Sequence, residues 1–198
     1  MNSGQSTLIL VQAAHRGDAN ALDTLLRRYW PRIVRVLAIE FPHMQVGFAD
    51  VEDLAQETLA EAVTHLSDFQ GSSPGAFAHW VYTIARHKAI DHYRRENADR
   101  RGSGRVRNFA DDRNPKMTTH GGVAAAGSTP SQGAVGLESE ARLRYGLQQI
   151  QQEEREIFLM VREFGMSYEE VAETLGCPNA KAASKRFHRA LASLVKWL

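Results

Sequence analysis

One cysteine, Cys177, stands in a chain of 198 residues. No intramolecular disulfide and no multi-cysteine zinc site can be built from it, and a lone thiol suits a reducing compartment. Long apolar runs are missing too. Leu8-Ile9-Leu10-Val11 is too short for the core of a secretory leader and has no basic residue before it, and nothing approaches the roughly 18 apolar residues that span a bilayer. The expected location is cytoplasmic, without membrane insertion. Net charge is almost absent: 24 Lys and Arg oppose 23 Asp and Glu, giving +1. Affinity for nucleic acid must then come from where cations are placed rather than from their total. Glycine-rich phosphate loops and nucleophile elbows are also absent. The one cluster with metal-ligand chemistry, His79, His87, Asp91 and His92, has poor spacing. His87 and Asp91 share a helix face, but His92 lies about 100° around it and no further carboxylate completes a facial set. The sequence therefore predicts no metal, no cofactor and no enzymatic activity.

What is present is a soluble globular balance, 43% hydrophobic and 24% charged. From Ser6 to about Arg101 the apolar residues recur at three- and four-residue spacing, without strand-type alternation, which predicts an all-α block. Four helices are expected, at about 6–16, 19–41 with a bend at Pro31, 50–67 and 74–97, with Gly71-Ser72-Ser73-Pro74 as the turn before the last. Between Gly102 and Gly136 there are seven glycines and two prolines, and no charged residue occurs from Met117 to Leu137, the composition of a flexible linker. Helical periodicity resumes near Leu137. The predicted domains are 1–101 and 137–198, joined by a linker at 102–136.

The second block carries the sharpest local signal. Ser167-Tyr168-Glu169-Glu170 is a capping box that starts a short helix, Leu175-Gly176 ends it, and Cys177-Pro178-Asn179 leads into another. Two helices joined by a tight glycine turn make a helix-turn-helix, and the small side chain of Ala172 lets their axes approach. In the last helix Ala183, Phe187, Ala190, Leu194 and Leu198 form the predicted core stripe. Lys181, Lys185, His188, Arg189 and Lys196 lie opposite, with Ser184 on the edge, and residues 179–198 hold five Lys and Arg and no acid. Cations presented this way can pair with phosphates and with guanine acceptors in the major groove.

The first block divides its charge. Seven acids lie between Glu40 and Asp68, and no Lys or Arg occurs between Arg35 and Arg86. On the third helix Val51, Leu54, Ala55, Thr58, Ala62 and Leu66 form the predicted buried stripe, leaving Asp53, Gln56, Glu57 and Glu61 outside, as a protein-docking stripe or a solvated face. The fourth helix is predicted to cluster Phe77, Trp80, Val81 and Ile84 on one side and to carry His79, Tyr82, Arg86, Ile90, Tyr93 and Arg94 on the other. Eight Lys and Arg against three acids at 86–107 add a local positive excess. Aromatic platforms beside cations hold single-stranded nucleic acid; alternatively, Tyr82, Ile90 and Tyr93 pack on a neighbouring helix.

In their order and separation, three stretches resemble the extracytoplasmic-function group of the sigma-70 family: Asp50-Val-Glu-Asp-Leu-Ala-Gln-Glu-Thr58, Phe77 to Arg95, and Ser167 to Gly176 followed by Arg186-Phe-His-Arg-Ala190. The resemblance implies a σ2-like four-helix domain and a σ4-like helix-turn-helix domain. Such a protein binds core RNA polymerase and directs promoter-specific transcription initiation. It implies that Asp53, Gln56, Glu57 and Glu61 dock on the clamp helices of the polymerase's largest subunit. Trp80, Tyr82, Arg86, His87, Lys88, Asp91, Arg94 and Arg95 would engage and melt the −10 element, together with the turn at 68–75. Lys181, Ser184, Lys185, Arg186, His188 and Arg189 would read the −35 element, while the C-terminal domain meets the polymerase flap. An anti-sigma factor is a further partner class. Two departures stand out: Asn179-Ala-Lys-Ala-Ala-Ser-Lys-Arg186 replaces the family's common Gly-Thr-Val-Lys-Ser-Arg run, and Gln151-Gln152 replaces its proline-containing entry to σ4. The competing reading is a helix-turn-helix regulator that acts without polymerase.

Overall fold

A computed structural model describes residues 3–41, 48–102 and 130–198, and among them only helices and turns occur. The elements are α1 (Ser3–His15), α2 (Ala19–Glu40), α3 (Phe48–Thr64), a 3₁₀ turn at Leu66–Asp68, α4 (Pro74–Gly102), α5 (Pro130–Gln149), α6 (Gln152–Arg162), α7 (Tyr168–Thr174) and α8 (Ala180–Leu194). The all-α class, the four helices of the first block and the helix-turn-helix of the second match the sequence reading, whereas the sequence marks α5 and α6 only as renewed helical periodicity from Leu137. The expected linker lies mostly outside the described residues, but its last seven positions, 130–136, belong to α5. Thr129-Pro130-Ser131-Gln132 has the cap residue, first-position proline and third-position glutamine of a helix start, but it lies inside a glycine-rich stretch, and the apolar periodicity at Leu137 places the start too late.

Local chemistry explains the ends. Asp18 caps α2 by accepting from the amides of Asn20 (2.9 Å) and Ala21 (3.1 Å), after Gly17 turns the chain at φ +87°. Pro31 does not break α2, which runs continuously to Glu40. It sits on the solvent side, where water can reach the carbonyl that lost its amide partner.

The core of the first block is built where α2, α3 and α4 face one another. Leu25, Tyr29, Ile33, Val36 and Leu37 of α2 meet Leu54, Ala55, Leu59 and Ala62 of α3 and Phe77, Val81 and Ala85 of α4, all buried. Thr58 is fully buried as well, and its hydroxyl is satisfied by donating to the Leu54 carbonyl at 2.8 Å. Phe77 is the hub. Its ring lies edge-on to Tyr29 (5.1 Å between centroids) and to Phe69 (5.2 Å), with Trp80 at 5.6 Å. Phe77→Ala is expected to cost about 3–5 kcal/mol and to lower the thermal midpoint by roughly 10 °C, read by helix loss in circular dichroism. A shift under a third of that would mean that the ring is dispensable to this core.

Candidate nucleic-acid interface

The helix-turn-helix forms through the predicted bonds. Ser167 Oγ accepts from the Glu170 amide at 3.2 Å while Glu170 Oε2 accepts from the Ser167 amide at 2.9 Å, so two orphan donors at the start of α7 are satisfied together. At its end Gly176 takes φ +64°, and the Cys177 amide returns to the Ala172 carbonyl at 2.9 Å. Asn179 then caps α8, its side chain accepting from the Ala182 amide at 2.9 Å. Ala172, Ala183, Phe187, Ala190 and Leu194 are buried as their spacing predicts. Leu198 is a correction: α8 ends at Leu194, so the residue leaves the helical register and stays exposed.

With that stripe buried, Lys181, Lys185 and His188 project into solvent, and Ser184 is half-buried at the edge. Two predicted members of the basic face behave differently. Arg189 donates from Nε to Glu154 Oε1 at 2.8 Å, and Arg186 reaches Glu153 at 3.0 Å and the Cys177 sulfur at 3.3 Å. Glu154 is only 8% exposed, and a buried carboxylate must keep a partner. Arg189→Ala should consequently destabilise the C-terminal block by roughly 1–2 kcal/mol, less than a fully buried pair because the arginine is largely exposed. Lys185→Ala should leave the denaturation midpoint unchanged, and equal midpoints for the two variants would remove the structural role given to Arg189. Glu154 was missed in the sequence because a first-turn helix acid normally reads as solvated.

On α3, Asp53, Gln56 and Glu57 are exposed one turn apart, with Leu54, Ala55 and Thr58 turned inward as expected. Glu61 is a partial correction to the open stripe. It is half-buried and ion-paired with Lys88 of α4, because the two helices pack side by side there. One predicted docking acid and one predicted DNA-binding cation therefore neutralise each other.

The face of α4 differs from its projection. His87, Asp91, Arg94 and Arg95 are exposed, with Arg94 and Asp91 paired at 3.4 Å. Trp80 is half-buried in the Phe69 and Phe77 cluster. Tyr82 was expected beside the cations on the outer face, and here it is 1% exposed. Its hydroxyl donates to Glu40 Oε1 at 3.0 Å, and its ring meets His79 and Phe164. Of the alternatives open in the sequence, packing describes Tyr82 in this arrangement, and its reason is tertiary: α6 and the turn after it lie over that part of α4. Burial pushes the Tyr82 hydroxyl well above the ordinary tyrosine range, with Glu40 adding to the shift. It remains a neutral donor. Burial also raises the Glu40 carboxyl, opposed by Arg155, the Tyr82 hydroxyl and Arg86. Arg155 and Arg86 approach that carboxylate at 3.6 and 4.0 Å. Among the described residues no group of three or more His, Cys, Asp or Glu could hold a metal, and no helix is long and apolar enough to cross a membrane.

Comparison with known proteins places both blocks. The family model for Sigma-70 region 2 matches residues 25–99, and that for Sigma-70, region 4 matches 141–194. RNA polymerase sigma-H factor of Pseudomonas aeruginosa is 30% identical over 183 residues, covering 90% of this chain and 86% of the relative. RNA polymerase sigma factor YlaC of Bacillus subtilis is 29% identical over 178 residues, covering 89% and 91%. Among solved structures, CnrH in complex with the cytosolic domain of CnrY aligns over 96% of each chain at a TM-score of 0.57 and 24% identity, a likeness of fold.

Proposed function

The chain belongs to the sigma-70 family and is a sigma factor that binds core RNA polymerase and directs promoter-specific transcription initiation; from this we propose how its surfaces divide that work. The block 1–101 docks on the largest subunit's clamp helices through Asp53, Gln56 and Glu57, with Glu61 at the margin. The same block engages the −10 element through α4 and the turn before it. His87, Lys88, Arg94 and Arg95 meet phosphates, Asp91 orients Arg94, and Trp80, Tyr82 and Arg86 frame the displaced strand. Unstacking a base costs only a few kcal/mol, which stacking and phosphate contacts offset, so the protein binds and positions DNA without catalysing a reaction. The C-terminal block reads the −35 element with Lys181, Ser184, Lys185 and His188, supported by Arg186 and Arg189, and meets the polymerase flap. An anti-sigma factor is a partner of the same proposal, and the cytoplasm its location.

The observation that carries this division is the segregation of charge: an exposed acidic turn on α3 that repels DNA, against cations on α4 and α8. Mixing the purified protein with sigma-free core polymerase and mapping transcript starts on genomic DNA from its source should give discrete starts that share two spaced upstream elements. Specific duplex binding by the protein alone, with no polymerase association and no starts, would sink the assignment.

A further inference from the structure

Glu154 stands in the first turn of α6, where the helix dipole favours a carboxylate. Ile157 and Phe158 follow it at three and four residues and share its face. The Phe158 ring stacks on Phe187 of α8 at 6.1 Å, so this is the face of α6 that packs on the recognition helix. Buried there, Glu154 accepts from Arg189 Nε of α8 through Oε1 at 2.8 Å.

The two arginines of α8 are held in opposite ways. Arg186 turns both terminal nitrogens back to the protein, Nη2 to Glu153 and Nη1 to the Cys177 sulfur, and its side chain is 29% exposed. Arg189 gives up only Nε. The four N–H groups on its terminal nitrogens bond no other described residue, and its side chain is 59% exposed. A guanidinium tied at Nε keeps its plane and direction while the Nη edge, which matches two phosphate oxygens, stays available. Lys181, Lys185 and Arg189 follow at four-residue steps on the exposed side of α8, each turned about 40° from the last over a length of about 12 Å. A recognition helix reads base edges with its N-terminal residues. Arg189, in the third turn, is therefore placed for the DNA backbone, whose contacts fix the register in which such a helix sits.

Resting on the reading of α8 as the −35 surface, we infer that Glu154 is a positioning residue for promoter recognition: it holds Arg189 so that the Nη edge clamps a phosphate of the −35 element and sets the register of Lys181 and Lys185 in the groove. Charge alone argues the reverse. A carboxylate beside a DNA-binding face repels the duplex, so its removal should tighten binding; only the geometry it imposes on Arg189 makes its loss harmful. A free arginine gives up rotamer freedom on reaching a phosphate, and the bond to Glu154 takes much of that loss before DNA arrives.

The test uses the full chain in holoenzyme, with affinity measured on a mapped promoter and on a control duplex of equal length lacking both elements. Glu154→Met keeps the buried volume and removes the acceptor without leaving a buried charge, so the thermal midpoint should not fall. Promoter affinity should drop by ~10-fold, while affinity for the control duplex stays level or rises. Glu154→Gln retains an acceptor oxygen for Nε and should recover most of that loss. On an Arg189→Ala background, adding Glu154→Met should change promoter affinity no further, because Glu154 acts only through Arg189. A pair that serves stability alone predicts instead that affinity follows the midpoint and that Glu154→Met costs nothing. Promoter affinity of Glu154→Met at or above the wild type, or an equal loss with and without Arg189, would overturn the inference. Lys181→Ala with Lys185→Ala separates this from failure of the reading beneath it. If that pair costs no promoter affinity, α8 is not the reader and the inference falls with it; if the pair costs affinity and Glu154→Met does not, the inference alone is rejected.

Discussion

Asp53→Lys combined with Glu57→Lys is expected to weaken binding to core RNA polymerase by ~100-fold or more, about 3 kcal/mol, with helix content unchanged. The two side chains stand one turn apart on the exposed side of α3, and neither makes an ion pair with another described residue. Reversal therefore breaks no internal bond, and the fold has no reason to respond. At the partner surface the outcome differs, because each lysine replaces attraction with like-charge contact as the interface desolvates. Glu61 is deliberately left in place. It holds Lys88, and reversing it would set two ammonium groups together inside the α3–α4 packing. Titration against labelled core polymerase reads the effect. Holoenzyme assembly at wild-type affinity would mean that docking occurs on another face.

Lys181→Ala with Lys185→Ala is expected to lower promoter affinity of the holoenzyme by roughly 100-fold, at about 1–3 kcal/mol per lost contact. Affinity for core polymerase should be untouched. If both lysines contact phosphates, the slope of log affinity against log salt should also flatten by about 2. These two lysines are chosen because they are exposed and make no ion pair among the described residues. Arg186 and Arg189, equally basic in the sequence, are tied to Glu153 and Glu154. A variant at either arginine mixes DNA contact with stability. Filter binding or anisotropy on a mapped promoter at several salt concentrations decides the matter: equal affinity and slope for wild type and variant would remove α8 as the recognition element.

Legibility in the sequence tracked how local the signal was. The capping box at Ser167 and the left-handed turn at Gly176 depend on neighbours three or four residues away and appear as read, as do the inward Leu54, Ala55 and Thr58 of α3, while Leu59 joins them and Glu61 leaves the open face. The stop of α8 at Leu194 and the start of α5 at Pro130 were missed. The first occurs inside an unbroken periodic pattern, and the second inside a composition that reads as linker. The first carries no cap signal, and at the second the start pattern Thr129-Pro130-Ser131-Gln132 is outweighed by the glycine-rich composition around it.

The helices of the first block, the helix-turn-helix, the opposite signs of α3 and α8, and the family itself were determined by the order of residues alone. Periodicity and capping are short-range chemistry, and the family motifs lie within single helices. Only the tertiary structure decided the fate of individual side chains: that Tyr82 lies under Phe164, that Glu61 is held by Lys88, that Arg189 serves Glu154, and that Glu170 ties α7 to α4. In each case the two partners come from different helices. A helical face is written in the sequence, but what covers it depends on how distant helices pack, and no local pattern encodes that.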